Sequence, residues 1–392
     1  MKNKGLLAFA LCWGILTAVS CSSDNIVEET PPPPTEEEGD TMPEEPKDSI
    51  PETTEPEGCT VIQKATEGRG IDLVILGDGF TAKDIEAGKW QSAQDSVMKY
   101  MFQREPLKSF KHWFNVYATA APYDGPDLSI PIAEGDTVES HLSIYTSRIL
   151  QADYIKKDSV FIYAYENTPV KEDKGTPKDM LVLMTINSDE MWGSFTTTER
   201  FVDRPNWGHA LVPFSVFYHF TIGMYGHEMM GHGIGDCADE YMSYGTAEFP
   251  WDDPKGFGGE WYTNNQREKG INLNVAFTTD PDDEYRFVNR AWAWMIKNNY
   301  HGVVGTPVEG AISCGKGVWR ATDASIMGGK KGGEFDDMSH WYITPVQREL
   351  ILRNLYKLAG KESEYSFDVF LEYDKRNEYW DQHPTETNLP EY

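Results

Sequence analysis

The densest chemistry in this chain lies between Tyr225 and Tyr241, in the stretch YGHEMMGHGIGDCADEY. Two imidazoles, His227 and His232, stand there with four carboxylates, Glu228, Asp236, Asp239 and Glu240. Imidazole nitrogen and carboxylate oxygen together suit a divalent metal, zinc first among them. In the spacing H-E-x-x-H, two histidines one helical turn apart hold the metal and the glutamate takes a proton from water. Here the second histidine comes one residue late. On a regular α-helix, side chains four residues apart lie about 40° from alignment, whereas those five apart lie about 140° away. One π-turn restores the alignment, and such bulges favour functional sites. Gly231 is where the backbone distorts most readily. The spacing therefore predicts a π-bulge at Met229–Gly231, with both imidazoles on one zinc ion.

Gly233 and Gly235 make further helix costly, so the chain should turn there. That turn returns a later side chain towards the metal. Asp239 is the first choice for third protein ligand, with Asp236 and Glu240 behind it. Three ligands leave one position for water, from which Glu228 would take the proton as general base. His209, His219 and His301 read as ordinary core or surface histidines. His340, near a helix boundary, could face the cleft.

A helix that carries such groups needs a rigid frame. Pro213–Met230 is apolar on most faces, which predicts a buried central helix. Strands are expected at Ile71–Leu76, Phe114–Thr119, Ser159–Tyr163 and Met180–Ile186, with a helix from Thr81 to Met101 between the first two. Strands alternating with helices indicate an α/β sheet domain. The turn Gly77-Asp78-Gly79 lacks the third glycine and the Lys-Ser/Thr pair of a phosphate loop. The strand at Met180–Ile186 is either a core strand or an edge that accepts an extended peptide. Further on, a helix is expected over Tyr285–Asn298, with the acidic run Asp280–Glu284 as its solvated N-terminal cap. A second is expected from Thr344-Pro345 to Leu358. The alternation Tyr365-Phe367-Val369-Leu371-Tyr373 predicts a final strand.

The 392 residues carry a formal net charge of -28 and 40% hydrophobic side chains, ample for a core. So acidic a chain argues against nucleic acid and anionic membrane surfaces, which need clustered Lys and Arg. Residues 1–21 carry early lysines and then an apolar run too short to span a bilayer comfortably, as a secretion signal does. The ending Ala18-Val19-Ser20-Cys21 is similar to a bacterial lipobox, so membrane attachment is expected only through a lipidated Cys21. Residues 22–58 are acidic and proline-rich, an extended tether without a core, and 59–392 form the folded domain. Of the cysteines there, Cys59, Cys237 and Cys314, at least one must be a free thiol.

HEMMGHGIGDCADEY resembles the extended active-site motif of the immunoglobulin A peptidases, the igalysins, within the metzincin clan of zinc peptidases. DLVILGDGFTA at 72–82, FNVY at 114–117, NSDE at 187–190 and GVWRATDASIM at 317–327 are similar to further parts of the same domain, so the resemblance covers roughly residues 70 to 358. It implies a zincin-type α/β catalytic domain with a twisted mixed sheet, a central active-site helix and a methionine turn that sets Met327 beneath the metal. It also implies zinc ligands at His227, His232 and Asp239, Glu228 as base, and hydrolysis of a protein or peptide substrate, with host glycoproteins among the candidates. Cys237 departs from the pattern, standing where an aliphatic residue is expected. The same H-E-x-x-G-H spacing occurs in dipeptidyl peptidase III enzymes, but that likeness stops at the short motif. The expectation is a monomeric zinc metallopeptidase held as a lipoprotein in the envelope of a Gram-negative bacterium, at the outer membrane or cell surface. The alternative is an inactive zincin-like lipoprotein that binds host glycoprotein or polysaccharide.

Overall fold

The computed structural model describes residues 56, 58–128, 130, 132–145, 156–170, 172–173, 176–177, 180–188, 195–199, 207–213, 224–242, 246–253, 256–328 and 342–383. The leader, most of the tether, residues 214–223 of the expected central helix, His219, His340 and the glycine-lysine loop after Met327 lie outside them. The chain divides after Thr54, and Glu55–Tyr392 is one compact unit. No helix among the described residues is long and apolar enough to cross a membrane.

That unit is mixed α/β, built on a six-stranded mixed sheet. Its strands are β1 (Thr60–Gln63), β2 (Ile71–Asp78), β3 (Phe114–Ala120), β4 (Met180–Ile186), β5 (Phe195–Glu199) and β6 (Trp207–Pro213). They lie in the order β1-β3-β2-β4-β6-β5. The four central strands are parallel, while β1 and β5 run antiparallel at the two edges. Strands covered on both faces read as near-continuous apolar runs, which is why LVIL at 73–76 and MLVLM at 180–184 were legible as strands. Ile71, Leu73 and Ile75 of β2 enter one core, while Val74 and Leu76 enter the other. Strand β4 is interior, so it is not the edge. That place belongs to β5, because β6 and β5 add on its outer side.

Helices cover both faces. On the first lie α2 (Lys89–Met101), preceded by the short exposed α1 (Ala82–Glu86), the helix of the histidines and, later, α6 (Pro345–Leu358). The single helix expected over 81–101 is two pieces, because Gly88 takes a left-handed φ of 79° between them. Thr81 and Thr344 cap their helices as expected, each within a capping box, and Pro345 opens α6. On the other face lies α3, Lys157–Glu166, where the sequence suggested a strand over Ser159–Tyr163. Val160, Phe161 and Ala164 face the core at helical spacing while Ile162 is 37% exposed, a pattern that so short an apolar run does not reveal.

The region after the histidine helix contains α4 (Gly259–Lys269), a small sheet of β7 (Val275–Ala276), β8 (Val308–Ala311) and β9 (Cys314–Arg320), and α5 (Arg290–Lys297). Helix α5 is shorter than expected. The Asn289 side chain caps it, and the acidic run precedes it in turns, with Asp282 paired to Lys297. The final segment corrects a second strand reading: Phe367–Asp374 is helix α7, capped by Ser366. Phe367, Phe370, Leu371 and Asp374 share one face at i, i+3, i+4 and i+7, and this outweighs the apparent alternation. Cys59, Cys237 and Cys314 are all free thiols.

Candidate metal centre

Tyr225–Ile234 is a π-helix throughout, longer than the single bulge expected. Its register carries through the end of the element, where the Gly235 N–H donates to Met230 O at 2.9 Å, five residues back. The wider turn places residues five apart nearly one above the other, and the rings of His227 and His232 come to 4.9 Å between centroids. Gly235 caps the helix, and Asp236 takes a left-handed φ of 51° that reverses the chain. Two small-residue constraints hold this path. An added Cβ at Gly235 would sit 2.8 Å from the Gly231 carbonyl, and one at Gly231 would overlap the Met327 sulfur.

The reversal sorts the three candidate carboxylates. Asp236 faces the Asn354 amide, 3.3 Å from its Nδ2. Glu240 is buried among donors: Asn274 Nδ2 and Gln347 Nε2 reach its Oε1 at 2.9 Å each, and the Ser325 hydroxyl reaches its Oε2 at 2.6 Å. Asp239 alone meets the histidines, with Oδ1 at 3.2 Å from His227 Nε2 and 3.1 Å from His232 Nε2. The other ring nitrogens are committed. His227 Nδ1 lies 2.7 Å from Ile326 O, and His232 Nδ1 lies 2.7 Å from Cys237 O. A carbonyl can only accept, so each Nδ1 carries a proton, and the Nε2 atoms are the ones able to present a lone pair to a cation.

Two nitrogens and one carboxylate oxygen, all within 4.8 Å of one another, form a donor set that fits a divalent metal. The electrostatics agree. Burial works to lower the His232 pKa, but the Asp239 charge and hydrogen bond, with the Glu228 charge, outweigh it and bring the group to about 9. His227 is raised on the same balance, and Asp239, despite burial, is held well below the usual carboxylate range by the two rings. Glu228 lies on the same helix, 3% exposed, and the Thr196 hydroxyl of β5 donates to it.

A second group of potential ligands, His301, Asp374 and Asp381, is also close enough for a metal. Its chemistry is different. Arg348 donates to both carboxylates through four contacts of 2.6 to 2.9 Å. Tyr342 and His301 hold Asp381 further, and Asn377 holds Asp374. A guanidinium already supplies the positive charge there, so this is a closed ion-pair network rather than a cation site.

The sequence model of the IgA Peptidase M64 family matches residues 60–256. The chain belongs to this family. The match takes in the π-helix and Asp239 and ends before the Ser325–Met327 turn. No curated protein matches the chain. M64 membership places the chain in a peptidase family, which implies a protein substrate and a metal. Several residues that shape the centre were not singled out in the sequence: Thr196, Asn274 and Gln347, and Ser325 within the 317–327 stretch, reach Glu228 or Glu240 from distant segments.

The Gly231–Met327 contact gives a direct test. Gly231→Ala should destabilise the fold by about 1–3 kcal/mol through overpacking. On a Met327→Ala background, which carries its own cavity cost, the same glycine change should cost less than in the parent by denaturant unfolding. An equal cost of Gly231→Ala on both backgrounds would show that the contact does not set the helix path.

Proposed function

We propose that the chain is a zinc metalloendopeptidase with a zincin-type fold, held in the cell envelope by a lipid on Cys21. The observation that carries the reading is the convergence of His227 Nε2, His232 Nε2 and Asp239 Oδ1 beside Glu228. His227, His232 and Asp239 hold the zinc, which when bound polarises the scissile carbonyl and acidifies water. Glu228 accepts the proton from the attacking water and can return it to the departing amine. Met327, packed against Gly231, supports the π-helix from below as the methionine of that turn. The edge strand β5, beside the same helix, offers a main chain on which an extended substrate can lie as a further strand. The lipid and the tether rest on the lipobox-like leader and the composition of residues 22–58. They support a location at the outer membrane or surface of a Gram-negative cell as part of this proposal.

The test is a peptide-library digest by the domain from residue 58 onwards, after zinc supplementation, with the Glu228→Gln variant beside it. Cleavage that needs both zinc and Glu228 is the expected result. A protein that takes up no metal and cleaves nothing would instead be a binding lipoprotein on a peptidase scaffold. The anchor has its own measurement: the mature chain should begin at an acylated Cys21 by mass spectrometry and leave the membrane fraction in Cys21→Ser.

A further inference from the structure

One hydroxyl reaches Glu228 at two points. Thr196 Oγ1 lies 2.6 Å from Glu228 Oε2 and 2.8 Å from Glu228 O. The hydroxyl has a single proton and faces two acceptors on one residue, and the carboxylate oxygen is the stronger of the two when ionised. Thr196 stands on β5, thirty-two positions before the glutamate, so the contact ties the sheet edge to the π-helix. The glutamate side chain has three rotatable bonds, and its carboxylate is buried, where the loss of a hydrogen-bond donor is costly. A general base acts only within hydrogen-bond reach of the proton it takes, and displacement by about 1 Å costs on the order of a hundredfold in rate.

We propose that Thr196 is a positioning residue for Glu228, holding its carboxylate from the edge strand in the orientation that the hydrolytic step requires. The inference rests on the reading of Glu228 as general base. It goes further in assigning that orientation to a residue of the strand beside which substrate is proposed to lie. Substrate pairing along β5 and placement of the base would then depend on one element.

The experiment compares Thr196→Val and Thr196→Ser with the parent chain, zinc-loaded, on a peptide the parent cleaves. Thr196→Val keeps the shape and β-branching and removes the hydroxyl; it should lower kcat by about tenfold to a hundredfold, with KM within about twofold. Thr196→Ser, which keeps the hydroxyl, should restore most of kcat. Zinc content should match the parent in both, while the melting temperature should match it in Thr196→Ser and fall in Thr196→Val, where a buried carboxylate loses its donor. Added to Glu228→Gln, the valine change should have no further effect, because the residue acts only through the carboxylate. A readout free of activity accompanies these: in metal-free crystals the Glu228 carboxylate should leave its place in Thr196→Val and keep it in Thr196→Ser. An unchanged kcat in Thr196→Val overturns the proposal, as does a loss that serine fails to rescue or that persists on the glutamine background. A parent chain that loads zinc and cleaves no peptide refutes the peptidase reading instead, and the crystals then still report whether Thr196 holds the carboxylate.

Discussion

Glu228→Gln is expected to keep its zinc and lose about a thousandfold or more in hydrolysis, towards the upper end of what a positioned general base contributes. The two properties separate because they reside on different atoms. Zinc is to be held by His227, His232 and Asp239, none of which Glu228 touches in order to form the donor set. Glutamine has the same shape, and its amide can still meet the Thr196 hydroxyl, so the π-helix should be undisturbed. What it lacks is a basic oxygen. Glu240, also buried, cannot substitute, because its oxygens accept from Asn274, Gln347 and Ser325. The measurement is kcat/KM on a peptide found by the library digest, beside zinc content by atomic absorption. Hydrolysis within about tenfold of the parent at full zinc loading would remove Glu228 from the mechanism.

The centre was legible in sequence because its constraints are local. Two histidines five apart, with glycine between them and two more after, leave few backbone paths that bring both rings to one point. Which carboxylate meets the two rings was less determined. Asp236, Asp239 and Glu240 are equivalent in composition, and the choice is made by the left-handed Asp236 and by distant donors from Asn274, Ser325 and Gln347. The sheet was legible where strands are buried on both faces and not where they are edges or half-polar. Phe195–Glu199 reads as a polar loop, and Trp207–Pro213 ran unrecognised into the expected helix. Ser159–Tyr163 and Tyr365–Tyr373 failed for another reason: over so few residues, periods of 2 and 3.6 select overlapping positions, and tertiary packing decides. Thr196 shows the further limit, since nothing near it in sequence says that its hydroxyl will meet a helix thirty-two residues on.

Metal affinity should fall about a hundredfold or more between pH 8 and pH 6, and stability should follow it in opposite senses with and without metal. In the metal-free fold the His232 pKa is about 9 against about 6.5 in an unfolded chain, and His227 is also raised. A raised histidine contributes stability that is full below about pH 6.5 and is lost as pH climbs towards 9. Asp239, held low by the two rings, contributes above its ordinary value near 3.8 and loses that contribution only as pH falls further. The metal-free triad therefore favours the fold most between about pH 4 and 6.5. A bound cation needs the same Nε2 atoms without their protons, so loading releases at least the His232 proton below pH 9. Each proton displaced changes the apparent affinity about tenfold per pH unit, which gives the hundredfold figure for His232 alone. At fixed free zinc above the dissociation constant, that is about 2.7 kcal/mol of stabilisation gained from pH 6 to pH 8. Thermal unfolding with zinc and with a chelator, run across this range, reads both curves. The gap between them should widen steadily from pH 6 towards pH 9. A gap independent of pH would mean that the cation is not held by the protonated pair, and the assignment of His232 as a ligand would fall with it.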